Sequence, residues 1–341
     1  MRRTSLFAVA LLALAACASP ADQSASQSNA VSNNAIEPTS TSTTNLRIVA
    51  ANITSGNLQS YDPGEGVRIL QALKADVTLL QEFNYGNNSA DAISGFVAST
   101  FGPEYSYFRE TGNAQIPNGV VTRYPIRTQG QWEDPQTATR SFAWARIDIP
   151  GDHDLWAISV HLLTSSASRR QAEASTIVAR IRAEVPAGDY ITVGGDFNTG
   201  SRTEACLRTL GSSFQVNGPF PVDTRGNGGT SASRGKPYDW VLVSPTLDSL
   251  ETPAVVGGIE FAHGMVFDSR NFDPLANVAP VRRGDSGASN MQHMAVVRDF
   301  AIPVPAPVVT EVPDTKEPRT TEPGTTEPPV TPPVDPAGST H

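Results

Sequence analysis

The feature that most restricts this chain is a series of short, β-branched apolar runs, each closed by a polar or charged residue. They are Leu46 to Ala50, Val77 to Leu80, Gly119 to Thr122, Phe142 to Ile149, Leu155 to Val160, Tyr190 to Val193, Trp240 to Val243 and Met294 to Phe300. Runs this short and this apolar predict strands rather than helices or surface loops. Only two stretches carry a helical repeat. Gly64 to Leu73 places Val67, Leu70 and Leu73 on one side, and Ala167 to Glu184 does the same with Ala174, Ile177, Val178 and Ile181. Ser166 or Ser168 stands where the second helix needs its N-cap. Strands that outnumber helices, with the helices spaced between them, predict a β-sandwich whose sheets are covered by helices.

The residues that close or interrupt the runs are the chemically informative ones: Asn52, Glu82, Asn118, His161, Asp196, Asn198, Asp239 and His293. A rigid sheet holds side chains at its strand ends in fixed mutual geometry, which is what a ligand site needs. Glu82 ends Val77-Thr78-Leu79-Leu80-Gln81-Glu82. A carboxylate at the end of a buried strand costs several kcal/mol unless it is paired or binds a cation, and a hard divalent ion is its natural partner. Asp196 and Asn198 follow Gly194-Gly195, where the missing side chains permit close backbone approach, and strand alternation would point both polar groups the same way.

Taken together these segments resemble the endonuclease/exonuclease/phosphatase superfamily, the fold of DNase I. The segments are Ala51-Asn52-Ile53, Leu80-Gln81-Glu82-Phe83, Asn118 to Ile126, Ser159-Val160-His161-Leu162, Gly194-Gly195-Asp196-Phe197-Asn198-Thr199, Tyr238 to Leu242 and Gln292-His293-Met294-Ala295-Val296. The resemblance implies an α+β fold: a DNase I-like, four-layer α/β/β/α sandwich of two mixed β-sheets flanked by helices, over residues 45–302. It implies a metal-dependent phosphoesterase using Mg2+, with Mn2+ able to replace it. Glu82 would bind the metal, helped by Asn52, and Asp196 would orient or activate the attacking water. Asn198 would hold a phosphate oxygen, His161 would donate to the phosphate or the leaving oxygen, and His293 would contact the scissile phosphate with its tautomer set by Asp239.

In one place the chain departs from the family. The family pattern carries an aspartate before the final histidine, and this chain has Gln292. An amide offers a neutral oxygen, so the site loses a charge and should hold a divalent ion more weakly. Asp285, seven residues upstream, could replace it, and Asn118 could shape or join the site. A weakened metal site also keeps open a non-catalytic binding protein.

The motifs leave the substrate as nucleic acid, a phospholipid or a small phosphoester, with a sphingomyelinase-like enzyme among the choices, because one fold hosts many substrates. A net charge of −9 over 341 residues argues against a protein that coats nucleic acid non-specifically. It leaves an envelope nuclease with a local basic cleft open.

The ends carry their own signals. Arg2 and Arg3 precede an apolar run from Leu6 to Ala16, too short to span a bilayer, that ends Leu14-Ala15-Ala16-Cys17. This resembles a bacterial lipobox and implies lipidation at Cys17, a membrane anchor, and a place in the cell envelope that leans towards the outer membrane. Residues 18–44 are Ser-, Thr- and Asn-rich and read as a tether; residues 303–341 are Pro-, Thr- and Glu-rich and read as an extended tail. The chain is expected to be a monomer. With Cys17 lipidated, Cys206 is the remaining cysteine, expected to be a buried apolar residue. Arg123 should be structural, His153 solvent-facing, and Arg169 and Arg170 a solvated pair. Gly257 to Asn290 is either a cap over the cleft or a packed loop, with Phe261 and Phe267 as its anchors.

Overall fold

The computed structural model describes residues 42–56, 59–112, 114–305 and 329–331. The lipobox with Cys17, almost all of the 18–44 segment and nearly all of the 303–341 tail lie outside the described residues. In chain order the elements are β1 (Ser42–Ala51), α1 (Glu65–Leu73), β2 (Val77–Leu80), α2 (Ala90–Thr100), β3 (Ser106–Arg109), β4 (Gly119–Thr122), β5 (Ile126–Trp132), β6 (Phe142–Ile147), β7 (Leu155–His161) and α3 (Ala167–Glu184). They continue with β8 (Tyr190–Asp196), α4 (Ala205–Leu210), β9 (Asp239–Val243), α5 (Pro245–Asp248), β10 (Glu251–Thr252), β11 (Ala254–Val256), β12 (Ile259–Phe261), β13 (Met265–Phe267) and β14 (Ala295–Val304).

One sheet runs β10-β14-β1-β2-β4-β3, with β13 also pairing β14, and the other runs β5-β6-β7-β8-β9. The central runs are apolar throughout because both faces of each sheet are covered. In β1, Leu46, Ile48 and Ala50 point between the sheets, where they meet Ala157, Val241 and Val243 of the second sheet. Val49 and Ala51 point outward onto Leu70 and Leu73 of α1 and Phe96 of α2. In β7, Ala157 faces inward while Ile158 and Val160 face outward onto Ala174, Ile177 and Ile181 of α3. The result is the four-layer α/β/β/α sandwich.

Strand direction places the site. β1 pairs β2 in parallel and β14 antiparallel, so the ends of β1 and β2 and the start of β14 share one edge. β8 pairs β7 in parallel and β9 antiparallel, so the ends of β7 and β8 and the start of β9 share an edge too. His161, Asp196 and Asp239 are consequently direct cross-strand neighbours on three adjacent strands.

Several expectations are refined or overturned. The ladder between β1 and β14 begins at Ser42 opposite Val304, so strand pairing continues past both edges of 45–302. Helix α2 had no signal in the sequence: it is built largely from small residues, capped by Ser89 accepting from Ala92 N, and buries only Ile93, Phe96, Val97 and Thr100. Strand β5 was missed because it is a polar edge strand, mostly exposed, held by its antiparallel pairing to β6. Of the two serines before α3, Ser166 is the cap, accepting from Arg169 N.

Arg170 is not solvated: it is buried, bonds Glu204 at 2.8 Å, and donates to the carbonyls of Leu163 and Thr164. Arg169 is exposed, as is His153, whose ring edge meets Tyr190. Cys206 is fully buried, and burial pushes its thiol up to about 11, which leaves it unreactive at neutral pH. Segment 257–290 folds onto the outer face of the first sheet. Phe261, Phe267, Phe272 and Val278 join the cluster that holds α1, and Ser269 and Ser286 exchange backbone-to-hydroxyl bonds of 2.9 Å.

Candidate active site

Two non-glycine residues with left-handed backbone shape the site. Glu82 has φ 51° and Asn198 has φ 52°, a conformation costing of order 1 kcal/mol that persists where surrounding contacts enforce it. The turn at Glu82 breaks the strand alternation of β2 and brings its carboxylate to the side that carries Asn52. At Asn198 the turn folds the side chain back onto Asp196, so these two groups meet through a tight turn and not through extended alternation. Gly195 makes the approach feasible: a Cβ there would lie 2.2 Å from Val160 O and 2.5 Å from Gln81 Nε2.

Asp196 is the hub. Its Oδ1 accepts from Asn198 N at 2.8 Å, and its Oδ2 accepts from Asn52 Nδ2 at 3.0 Å and Asn198 Nδ2 at 3.2 Å. The same Oδ2 lies 3.2 Å from His161 Nε2 and 3.4 Å from His293 Nε2. His293 Nδ1 is 2.9 Å from Asp239 Oδ2, which links Asp239, His293 and Asp196 in one line. Glu82 Oε2 accepts from Thr54 Oγ1 at 3.1 Å, and its Oε1 lies 3.4 Å from Asn52 Nδ2 and 3.9 Å from His161 Nδ1. All of these side chains except Asn198 are at most 6% exposed, which makes the charges strongly felt.

Burial acts against charge on every one of them, and their neighbours decide which side wins. His293 is buried, yet Asp196 and Asp239 hold its proton and raise it to about 10, so it is an imidazolium at neutral pH. For Asp196 and Glu82, burial pushes the carboxyl up and His293 opposes that shift. His161 is driven well below the ordinary histidine value by burial, Arg140 and His293, and stays neutral. The two histidines thus differ in protonation because one is sandwiched by aspartates and the other sits beside cations.

The cleft above these groups has a volume of about 140 Å³ and is lined by Glu82, His161, Asp196, Asn198 and His293, with Gln59, Ile116, Arg140, Thr164 and Gln292. Gln292 is exposed at its mouth. Arg140 and Thr54 went unseen in the sequence. Arg140 donates Nε to His161 O and Nη2 to Leu162 O at 3.1 Å, bracing the end of β7. Thr54 lies two residues beyond Asn52, which is the only sequence signal it carries. An arginine in the loop before β6 carries none.

The structure does not bring Asp285 or Asn118 into this cluster, and Arg123 is structural, as expected. Asp285 is taken by Arg68 of α1, at 2.7 and 2.9 Å, and accepts from Arg282 N, so it cannot replace the missing aspartate. Arg123 pairs with Asp76 and lies over Tyr124, beyond the end of β4 that pairs with the start of β2, far along the sheet from Glu82. Asn118 is buried behind the cleft wall, donating to Glu110 Oε1 at 3.1 Å and Ser141 O at 2.7 Å.

That wall stores a proton-linked term. Burial pushes Glu110 up to about 7, and both Glu110 Oε2 and Asn118 Oδ1 are buried without a donor, as suits a protonated carboxyl. The native state keeps this proton at pH values where the unfolded chain, with an ordinary glutamate, has lost it. Stability is therefore full at low pH and falls as pH rises from the ordinary glutamate value to about 7. Glu110→Gln should flatten that fall, gaining on the order of 2 kcal/mol on wild type between pH 5 and pH 8 in urea melts. Parallel stability curves for the two proteins would show that Glu110 ionises normally in the fold.

Asp196, Asp239 and His293 each place one ligand atom within 4.8 Å of the others, a geometry able to hold a metal ion. His293 shares both ring protons with aspartates, so a cation there must displace a proton. Asn52 Oδ1, buried without a donor next to Glu82, and Asp239 Oδ1, equally unsatisfied, are the oxygens that a hard divalent ion would suit. The donor set fits such an ion.

The sequence profile of the endonuclease/exonuclease/phosphatase family matches residues 57–258, more than half of the chain. The chain belongs to this family. Solved structures share its fold: an endonuclease/exonuclease/phosphatase family protein from Bacteroides thetaiotaomicron is 13% identical, covering 76% of this chain and 98% of that one, with TM-score 0.52. One from Bacteroides vulgatus is 14% identical, covering 76% and 99%, with TM-score 0.51. One from Beutenbergia cavernae is 16% identical, covering 76% and 72%, with TM-score 0.50. At these identities the likeness concerns the fold alone. No curated protein matches the sequence. The family includes metal-dependent phosphoesterases, and the buried Asp-Asp-His cluster is compatible with such chemistry.

Proposed function

We propose that this chain hydrolyses a small phosphoester with Mg2+ or Mn2+, at the cleft between the two sheets, while anchored in the cell envelope through Cys17. The observation that carries the reading is the convergence of Glu82, Asn52, His161, Asp196, Asp239 and His293 from both sheets onto one buried cleft. Its volume of about 140 Å³ suits one phosphoryl group with its near substituents. Arg140 is the one Lys or Arg lining it among the described residues, and two carbonyls already engage its guanidinium. A nucleic-acid track needs several such cations, so a small ester is favoured over a polynucleotide.

The roles follow from charge. Asp196, ionised at neutral pH, accepts the proton of the attacking water. His293, an imidazolium oriented by Asp239, offers positive charge to a non-bridging phosphoryl oxygen. Asn198 Nδ2 is occupied by Leu162 O and Asp196, so the amide is rigidly set before substrate arrives. Neutral His161 can donate a hydrogen bond to the phosphoryl or leaving oxygen and so stabilise its developing charge. Glu82 and Asn52 Oδ1 would hold the metal, which when bound supplies neutralisation of phosphoryl charge.

The test is hydrolysis of bis-p-nitrophenyl phosphate, p-nitrophenyl phosphate and plasmid DNA by the Cys17→Ser chain, with Mg2+, Mn2+ or EDTA. Metal-dependent turnover of an aryl ester, abolished in Glu82→Ala, is the expected result, with plasmid cut slowly or not at all. Rapid plasmid cleavage would move the reading to a nuclease. Silence on all three substrates, together with no heat of metal binding in calorimetry, would favour a non-catalytic binding protein. In the producing bacterium the wild-type chain should incorporate labelled palmitate and Cys17→Ser should not. Equal labelling would place the anchor elsewhere.

A further inference from the structure

Two hydrogen bonds tie the end of β2 in one sheet to β7 in the other. Gln81 Nε2 donates to Ser159 Oγ at 2.9 Å, and Ser159 Oγ donates back to Leu80 O at 2.7 Å. The second N–H of the Gln81 amide goes to Leu79 O at 3.0 Å, while its Oε1 is buried without a donor. Both residues are fully buried, and the layer between the sheets is packed with aliphatic side chains such as Leu46, Leu79, Ala157 and Val241. Strand alternation puts Gln81 on the side of Leu79 and Ser159 on the side of Ala157, so each faces the opposite sheet.

An amide with one atom unsatisfied is a costly filling for an apolar layer. Aliphatic side chains of similar size would pack there without that cost, so packing alone does not account for the pair. Gln81 directly precedes Glu82, and Ser159 stands two residues before His161. In the register of β7 with β8, Ser159 lies opposite Gly194 and His161 opposite Asp196, so the bridge sits just beneath the carboxylates and imidazole of the cleft. The Gln81 amide also rests against Gly195, where a Cβ would lie 2.5 Å from Nε2 and 2.7 Å from Cδ. Two contacts cross the cleft between the same sheets, Asn52 Nδ2 to Asp196 Oδ2 at 3.0 Å and Glu82 Oε1 to His161 Nδ1 at 3.9 Å.

We propose that Gln81 and Ser159 are positioning residues: their bridge fixes the separation of the two sheets under the cleft, and thereby the distance of Glu82 and Asn52 from Asp196 and His161. Neither residue lines the cleft, so each acts through the groups beyond it. The consequence for metal rests on the phosphoesterase reading above. Mg2+ demands near-ideal octahedral geometry, so donors supplied by two different sheets hold it only while the sheets keep their spacing.

The test compares Gln81→Met, Ser159→Ala and the control Thr78→Val, each in the Cys17→Ser chain. Thr78 is equally buried in β2, but its hydroxyl makes no hydrogen bond. Hydrogen exchange of the Asn52 side-chain amide, followed by NMR in EDTA, reads the spacing without metal or substrate. Exchange is expected to speed up at least ~10-fold in Gln81→Met and in Ser159→Ala, the scale of one weakened hydrogen bond, and to stay as wild type in Thr78→Val. Calorimetry with Mn2+ should show Kd raised ~10-fold in the same two variants, as loss of a contact supporting a metal ligand implies. Wild-type exchange in either folded bridge variant overturns the proposal, as does equal acceleration in Thr78→Val, which would show general loosening. If the parent chain binds no metal and hydrolyses no ester, the phosphoesterase reading fails, and the exchange result still decides the role of the bridge. Should Gln81→Met fail to fold, Ser159→Ala decides by the same measure.

Discussion

Asp196→Ala is expected to lower turnover of an aryl phosphate by at least ~10²-fold, the scale of removing a general base or a principal electrostatic group. The side chain accepts hydrogen bonds from Asn52 and Asn198 and faces both histidines, so its loss removes a proton acceptor and the organiser of four other groups. Stability should fall as well, because removing one partner of a buried ionic cluster leaves the His293 imidazolium less compensated, so the rates are compared at a temperature at which the variant is still folded. Circular dichroism melts on the same sample check that point. The wild-type rate should fall as pH drops through the raised titration of Asp196, since the protonated acid cannot take a proton from water. A wild-type turnover number in a folded Asp196→Ala protein would remove Asp196 from the reaction.

The second large effect belongs to Asp239 and His293 acting as a pair. Asp239→Asn removes the partner that holds the His293 proton, and His293→Gln removes the imidazolium itself. Each should lower kcat by ~10²- to 10³-fold. The double variant should be little worse than either single one, because the two residues act through one bond of 2.9 Å. Additive losses in this cycle would show that Asp239 works independently of His293. Raising pH above about 10 should reproduce the His293 defect in the wild type, since the imidazolium then loses its proton.

Much of this site is legible without coordinates because its residues terminate buried strands. His161, Asp196 and Asp239 stand out where apolar runs stop, and the pairing of β7, β8 and β9 then lays them side by side. Glu82 is legible for a related reason, a carboxylate after the five buried residues Val77 to Gln81. What no local pattern announces is contact made from afar. The left-handed turns at Glu82 and Asn198 are imposed by the groups they meet. Asp285 looked available and is instead claimed by Arg68, 217 positions earlier in the chain. Arg170 looked solvated and is instead held by Glu204 and two carbonyls. Arg140 is an ordinary loop arginine until the end of β7 is folded against it.

By itself the sequence determined the strand-rich class, the two principal helices, the residues that carry chemistry and the family to which the chain belongs. Those are properties of short windows: apolar run length, periodicity, and the type of residue at each strand end. Tertiary structure alone decided which of those groups meet, which histidine is charged, and where segment 257–290 packs. Each of these depends on distances between residues far apart in the chain and on burial, because an electrostatic interaction takes its strength from the medium that the whole fold creates.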